Sequence, residues 1–358
     1  MPEPADAPGG NRTASATVEP TLLESAPPAP RRNRPVVWWA ATGAAFVLFQ
    51  GYVYLSWIMS DDFAPRPPGP DPVPQWEKVF AWILQPLFVL LAVGVTAWVV
   101  RGCRREARLT LDAKLLMSGP LIVWMDPLGS WIQPQFFFNA YYVNFGSWVE
   151  QIPGWYSPNG RFQADLIFVE FPLYCCLVVV AARGCALMLW IRRRRPQTST
   201  LTLVLANWAA VTFFIMVFEE IFILRTGVAV WEQIPPVTIY AGTRYEMSLL
   251  PDPVFWGGVM VFMAYLRYSR NDRGQSLVES GLDRVRGGPG RKTVVSALAV
   301  IGAVSSAMLL SAVFAVTASL YSETPDDLPS YILHGMCGDA NSQPCPDRGV
   351  PIPRMQDR

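Results

Sequence analysis

Apolar runs long enough to cross a bilayer recur along this chain, each separated from the next by a short polar stretch. In hydrocarbon only helices and closed barrels satisfy every backbone polar group, and runs of this length select helices. A soluble globular fold is therefore excluded. The runs fall at roughly 35–59, 79–100, 115–132, 162–191, 201–224, 253–268 and 294–321. They predict an all-α, polytopic bundle of about seven transmembrane helices over residues 35–321. A Pro/Ala-rich leader at 1–34 is expected to be disordered, and a polar tail follows at 322–358.

The basic residues fix an expected orientation. They gather in the leader (Arg31, Arg32, Arg34), after the second run (Arg101, Arg104, Arg105, Arg108), in the arginine run 192–195 and at 270–292. By the positive-inside rule these stretches are cytoplasmic. The N-terminus is then inside, the C-terminus outside, and the protein sits in the cell membrane as a multi-pass chain. Cys337 and Cys345 fall on the outer side, where a disulfide would form in an oxidising compartment. Cys103, Cys175, Cys176 and Cys185 read as packing residues. Gly302 and Ser306 have the spacing of a small-residue helix contact, and the oligomeric state stays open.

Composition removes several functions. The formal net charge is +1, so no electrostatic footprint for nucleic acid exists. The one histidine is His334, in the tail, which leaves histidine-based metal and haem sites without ligands. The lysines are Lys78, Lys114 and Lys292, all near ends of runs, so a mid-span Schiff base is not expected. Neither a metal nor a cofactor is called for. No Gly-rich phosphate loop, nucleophile elbow or redox CxxC occurs, and reactions that need only proton transfer and positioning remain.

The loop at 133–161, with its approach from Trp124, is crowded with aromatics and amides. Gln133, Gln135, Asn139, Asn144 and Glu150 sit among Trp131, Phe136, Phe137, Phe138, Tyr141, Tyr142, Phe145, Trp148 and Trp155. Such a mixture buries apolar ligand area while a few polar groups orient it. An aromatic belt at the membrane interface is the plainer reading.

Acidic residues inside apolar runs cost roughly 2.5–3.5 kcal/mol each at the bilayer centre, so they mark function. Asp126, Asp165, Glu170, Glu219 and Glu220 are the candidates. At ~1.5 Å per residue Asp126 and Glu170 lie about 10 and 13 Å below the outer ends of their runs, and Glu219 and Glu220 roughly 8–9 Å below Arg225. Three helices thus bring carboxylates to one level beneath the aromatic loop. Pro127 and Pro172 break the helices beside them, as backbone lining a cavity permits. Asp165 is near enough to its end for interfacial solvation. Glu219 and Glu220 project about 100° apart, so one of them is expected to pair with Arg225 or Arg244. A carboxylate cluster in low dielectric provides an acid beside a base near neutral pH.

At these residues the chain resembles the AveC-like spirocyclase family. The resemblance rests on DPLGSWIQPQFFFNAYYVNFGSW (Asp126 to Trp148), IPGW (Ile152 to Trp155) and FEEIF (Phe218 to Phe222). It implies a cofactor-free membrane enzyme of actinobacterial polyketide secondary metabolism. A lipophilic dihydroxy-ketone would close to a spiroketal, in some members with a dehydration. In that reading Glu170 and Asp126 are the expected acid and base, and Glu219 or Glu220 stabilises positive charge. Asn139, Tyr141, Tyr142 and Asn144 would orient oxygens, with Trp148 and Arg225 completing the substrate-binding candidates. The expected partners are a lipophilic small molecule and membrane lipid. Two alternatives stand beside it: a non-catalytic lipid- or sterol-like binding protein, and a proton-coupled transporter, for which only Asn207 and Arg183 offer polar steps farther in.

Overall fold

The computed structural model describes residues 35–338 and 343–352. The leader expected at 1–34 lies outside the described residues. Five helices are long and apolar enough to cross a membrane: α1 (Pro35–Ile58), α2 (Gln75–Glu106), α4 (Ile167–Arg194), α5 (Thr200–Phe218, continuing to Leu224) and α7 (Pro289–Ser319). They fit a membrane protein. The most apolar window of α7 is 61% buried, against 22–39% in the other four, so α7 is the central helix and the others face outward.

Whereas α4 runs unbroken past Pro172, the third and sixth apolar runs, two of the seven expected spans, do not form helices of spanning length. Each yields a 12-residue helix, α3 (Leu111–Ile122) and α6 (Gly257–Tyr268). At ~1.5 Å per residue, about 18 Å, neither crosses a bilayer alone. Prolines are the cause. Pro120 lies inside α3 and Pro127 inside the 3-10 segment Val123–Ser130 that continues it. Pro251 and Pro253 stretch Leu250–Trp256 into a wide π-helical turn ahead of α6. Proline removes a backbone donor and orphans an upstream carbonyl, so such breaks need outside partners. Gln50 of α1 donates to the Pro120 carbonyl at 3.2 Å. Thr212 and Trp208 of α5 donate to the carbonyls of Pro253 and Val254 at 3.1 and 2.9 Å.

Glycines set the closest helix contacts. A Cβ on Gly302 of α7 would lie 2.2 Å from the Trp39 carbonyl oxygen of α1, and one on Gly43 would lie 2.0 Å from that of Leu298. The small-residue spacing at Gly302 therefore serves the α1–α7 contact within the chain. Gly119 likewise lets α3 touch the backbone of α4 at Tyr174.

Over one end of the bundle the loops form a packed cap. Strands β1 (Phe136–Phe138) and β2 (Ala229–Trp231) pair antiparallel, Phe136 opposite Trp231 and Phe138 opposite Ala229. A second short pair joins β3 (Thr238–Ile239) to β4 (Met247–Ser248). Side chains alternate across a strand, so β1 has two faces. Phe136 and Phe138 turn toward the bundle, while Phe137 packs with Val73, Val230, Tyr331 and Ile332. Tyr331 and Ile332 belong to α8 (Ser330–Leu333), so the segment after α7 folds back onto the sheet. Cys337 and Cys345 are joined in a disulfide beside it.

Candidate active site

The 3-10 turn after α3, the first turns of α4, the end of α5, the β1–β2 pair and α7 line a cavity of about 90 Å³. Asp126, Glu170 and Glu219 line it together, and Phe136, Phe138 and Trp231 provide much of its apolar wall. The first turn of α4 explains Glu170. The helix lacks a side-chain cap from Leu166, and Glu170 Oε1 accepts the Leu166 N–H at 2.7 Å instead. This capping satisfies one orphan donor and fixes the carboxylate. Its other oxygen, Oε2, is buried without a hydrogen-bond partner. Tyr174, one helical turn on, faces the same side and donates its hydroxyl to Asp126 in a short hydrogen bond. Asp126, Asp165 and Glu170 are close enough to act on one another electrostatically.

Three N–H donors complete the lining. Gln135 Nε2, Trp231 Nε1 and Trp256 Nε1 are buried and have no hydrogen-bond partner. The backbone of Gln135 is pinned on both sides, its N–H donating to Ser130 Oγ at 3.1 Å and its carbonyl accepting the Glu232 N–H at 3.0 Å. The side-chain oxygen of Gln135 fills the space that Gly129 leaves open, for a Cβ there would come within 2.5 Å of it. Buried polar atoms normally find partners, yet Glu170 and Gln135, which line one cavity, each keep a buried polar atom without one.

The other residues singled out by the sequence lie elsewhere. Glu220 turns away from the cavity and pairs with Arg225 at 2.6 Å. That guanidinium stacks over Tyr245, 4.3 Å from the ring centroid. Asn139 is fully buried and donates to Glu77 Oε2 and to the Gly227 carbonyl, each at 2.9 Å. Asn144 clamps the Pro-rich loop before α2, accepting the Arg66 N–H at 2.8 Å. Tyr141 lies under the Lys78 ammonium, and Tyr142 is buried in the apolar cluster beneath the cap. Trp148 is a core ring, bonded to the Trp124 carbonyl at 3.1 Å and packed on Tyr54 and Trp57. Interfacial solvation does not hold for Asp165. It is 1% exposed, sealed by the cap and hydrogen-bonded by Gln163 at 3.0 Å.

Sequence reasoning passed over Gln135, Tyr174, Trp231 and Trp256 as site residues. The Glu170–Tyr174 spacing was a usable signal, since positions four apart share a helix face. Trp231 and Trp256 depend on strand pairing and a π-turn that leave no local mark. Also unforeseen was Glu77, fully buried and ion-paired with Arg244 at 2.8 Å. Outside the helices, burial pushes the Glu232 carboxyl up to about 8 and that of Glu246 up to about 7. Burial pulls the His334 imidazole down to about 4. Among the described residues no group of three or more His, Cys, Asp or Glu side chains is placed to hold a metal ion.

Five helices of spanning length, and a cavity lined by three carboxylates, define a helical, membrane-compatible protein. The chain belongs to the AveC-like spirocyclase family: the family model described as "Spirocyclase AveC-like" matches residues 106–334. That span contains Asp126, Glu170, Glu219 and both strands of the cap sheet. No curated protein and no solved structure matches the chain.

Proposed function

We propose that this protein is a multi-pass enzyme of the cell membrane that closes a lipophilic, polyketide-like dihydroxy-ketone to a spiroketal. In this reading α3 with its 3-10 extension and the π-turn with α6 complete the bundle to about seven passes. The arginine clusters face the cytoplasm and the cap faces outward. The observation that carries the chemistry is the pair of unpartnered buried groups, Glu170 Oε2 and Gln135 Nε2, in one cavity with Asp126 and Glu219.

The reaction follows from those groups. One substrate hydroxyl adds to the ketone carbon and passes its proton to Asp126, while Glu170 protonates the carbonyl oxygen that Gln135 holds by a hydrogen bond. This gives a hemiketal, and the proton returns from Asp126 to Glu170. Glu170, through its free oxygen, protonates the hemiketal hydroxyl, which leaves as water. Glu219 stabilises the resulting oxocarbenium electrostatically. The second hydroxyl attacks that carbon and passes its proton to Asp126, whose carboxylate Tyr174 holds in place, and that proton returns to Glu170 to reset the pair. One water is lost, and the shape of the apolar wall selects the face of attack. A dehydration uses the same acid and base on a neighbouring hydroxyl.

Membranes carrying the protein, given a synthetic dihydroxy-ketone and analysed by chiral chromatography, test this reading. A single isomer is expected, with Glu170→Gln slowing its formation by about 10²–10⁴-fold. An isomer mixture equal to that of empty membranes would sink the reading. Ligand bound and recovered unchanged would leave a lipid-binding protein in its place.

A further inference from the structure

The cavity adjoins the lipid-facing surface through one thin wall. On the far side of that wall an apolar groove of about 640 Å³ runs along α7 against Leu128 and Trp131. Ala312 lines both spaces. Its neighbours divide between them: Ala315 faces the cavity and Val316 the groove, and across from them Gly129 faces the cavity and Leu128 the groove. Between Gly129 and Ala315 only small residues meet, since a Cβ on Gly129 would lie 3.4 Å from that of Ala315. The groove is open, with Val313 54% exposed on a helix of membrane-spanning length.

Size and polarity assign complementary roles to the two spaces. The cavity holds the unpartnered polar atoms of Glu170 and Gln135, but at about 90 Å³ it is far below the ~300–1,000 Å³ typical of drug-sized ligands. The groove falls within that range and is lined almost wholly by apolar side chains. Each lacks what the other supplies. We propose that the site takes an amphiphile whose compact oxygenated head occupies the cavity while its apolar body crosses the wall at Ala312 and lies in the groove, entering from the lipid phase. The chemistry at the head rests on the cyclase reading; the two-part binding does not.

The test uses the full chain in lipid nanodiscs and two dihydroxy-ketones with the same reacting head, one with methyl ends and one with a chain of about twelve carbons. Val316→Trp obstructs the groove without reaching the cavity. It is expected to lower the long-over-short preference in kcat/KM by about tenfold or more, the equivalent of roughly two methylenes left unburied. Ala312→Leu, which thickens the wall, lowers the same ratio. An unchanged ratio in both variants, each with a native thermal melt, overturns the proposal. If the wild type converts neither compound, the cyclase reading fails and the binding is decided by photolabelling. A long-chain dihydroxy-ketone with a diazirine at its far end then labels residues 309–320 in the wild type and not in Val316→Trp. A plain alkyl diazirine that labels the segment equally well shows ordinary lipid occupancy and overturns the proposal.

Discussion

Replacing Gly129 by alanine tests the cavity's geometry at a position that carries no chemistry of its own. The glycine does not adopt a left-handed conformation, so alanine suits its backbone and by itself stabilises the fold by ~0.4–1 kcal/mol. The new methyl would lie 2.5 Å from Gln135 Oε1, about 1 Å inside ordinary contact. The Gln135 main chain is held by Ser130 and Glu232, so the movement falls on its side-chain amide. Displacing a positioned group by about 1 Å costs up to ~10²-fold in rate, or ~2.7 kcal/mol of barrier. The expected result is a spirocyclisation rate down by ~10²-fold with the thermal midpoint within a few degrees of wild type. Turnover by chiral chromatography and a thermal melt on the same membranes measure both. In a Gln135→Ala background, Gly129→Ala adds little further loss, because both act through one amide. Full turnover in a normally folded Gly129→Ala protein would refute the role given to Gln135.

Two contrasts test the cap. Arg244→Ala strands the buried Glu77 carboxylate and is expected to cost about 3–5 kcal/mol in a denaturation assay, whereas Arg225→Ala, which removes an exposed guanidinium from a half-buried Glu220, is expected to cost less, about 1 kcal/mol. Glu232 keeps its proton in the folded cap up to about pH 8 but releases it near 4.5 when unfolded. Folding then binds a proton through that window, so cap stability is fullest below about pH 4.5 and falls as pH rises to about 8. Hydrogen exchange across 229–248 should show this opening with pH, and Glu232→Gln should flatten it; a cap equally protected at pH 5 and pH 8 would count against it.

Much of the plan was legible because membrane insertion writes itself into composition. The five long helices follow from apolar run length, and the meeting of Asp126, Glu170 and Glu219 follows from counting rise per residue along three of them. The breaks in α3 and α6 were harder. A proline changes hydropathy little, and Pro86 and Pro172 sit inside unbroken long helices, yet α3 and α6 are short beside theirs, with Gln50, Thr212 and Trp208 of other helices bonding the carbonyls there. Within the aromatic loop, an amide that faces a ligand and one that ties down backbone look identical in sequence. Hence Asn139 and Asn144 were singled out and Gln135 was not, although Asn139 serves Glu77 and Asn144 serves Arg66. Trp231 reaches the cavity through its pairing with Phe136, a contact between residues far apart in the chain.

That pairing also sets an order of events during synthesis. Phe136–Phe138 emerges before α4 and α5, whereas its partner Ala229–Trp231 emerges only after them. The cavity floor on α7 comes later still. Until then the cavity around the carboxylates of α4 and α5 lacks the lining that Met308, Ser311, Ala312 and Ala315 provide. In the proposed reading, activity then requires the last long helix to dock, and a chain truncated before α7 is expected to be inactive.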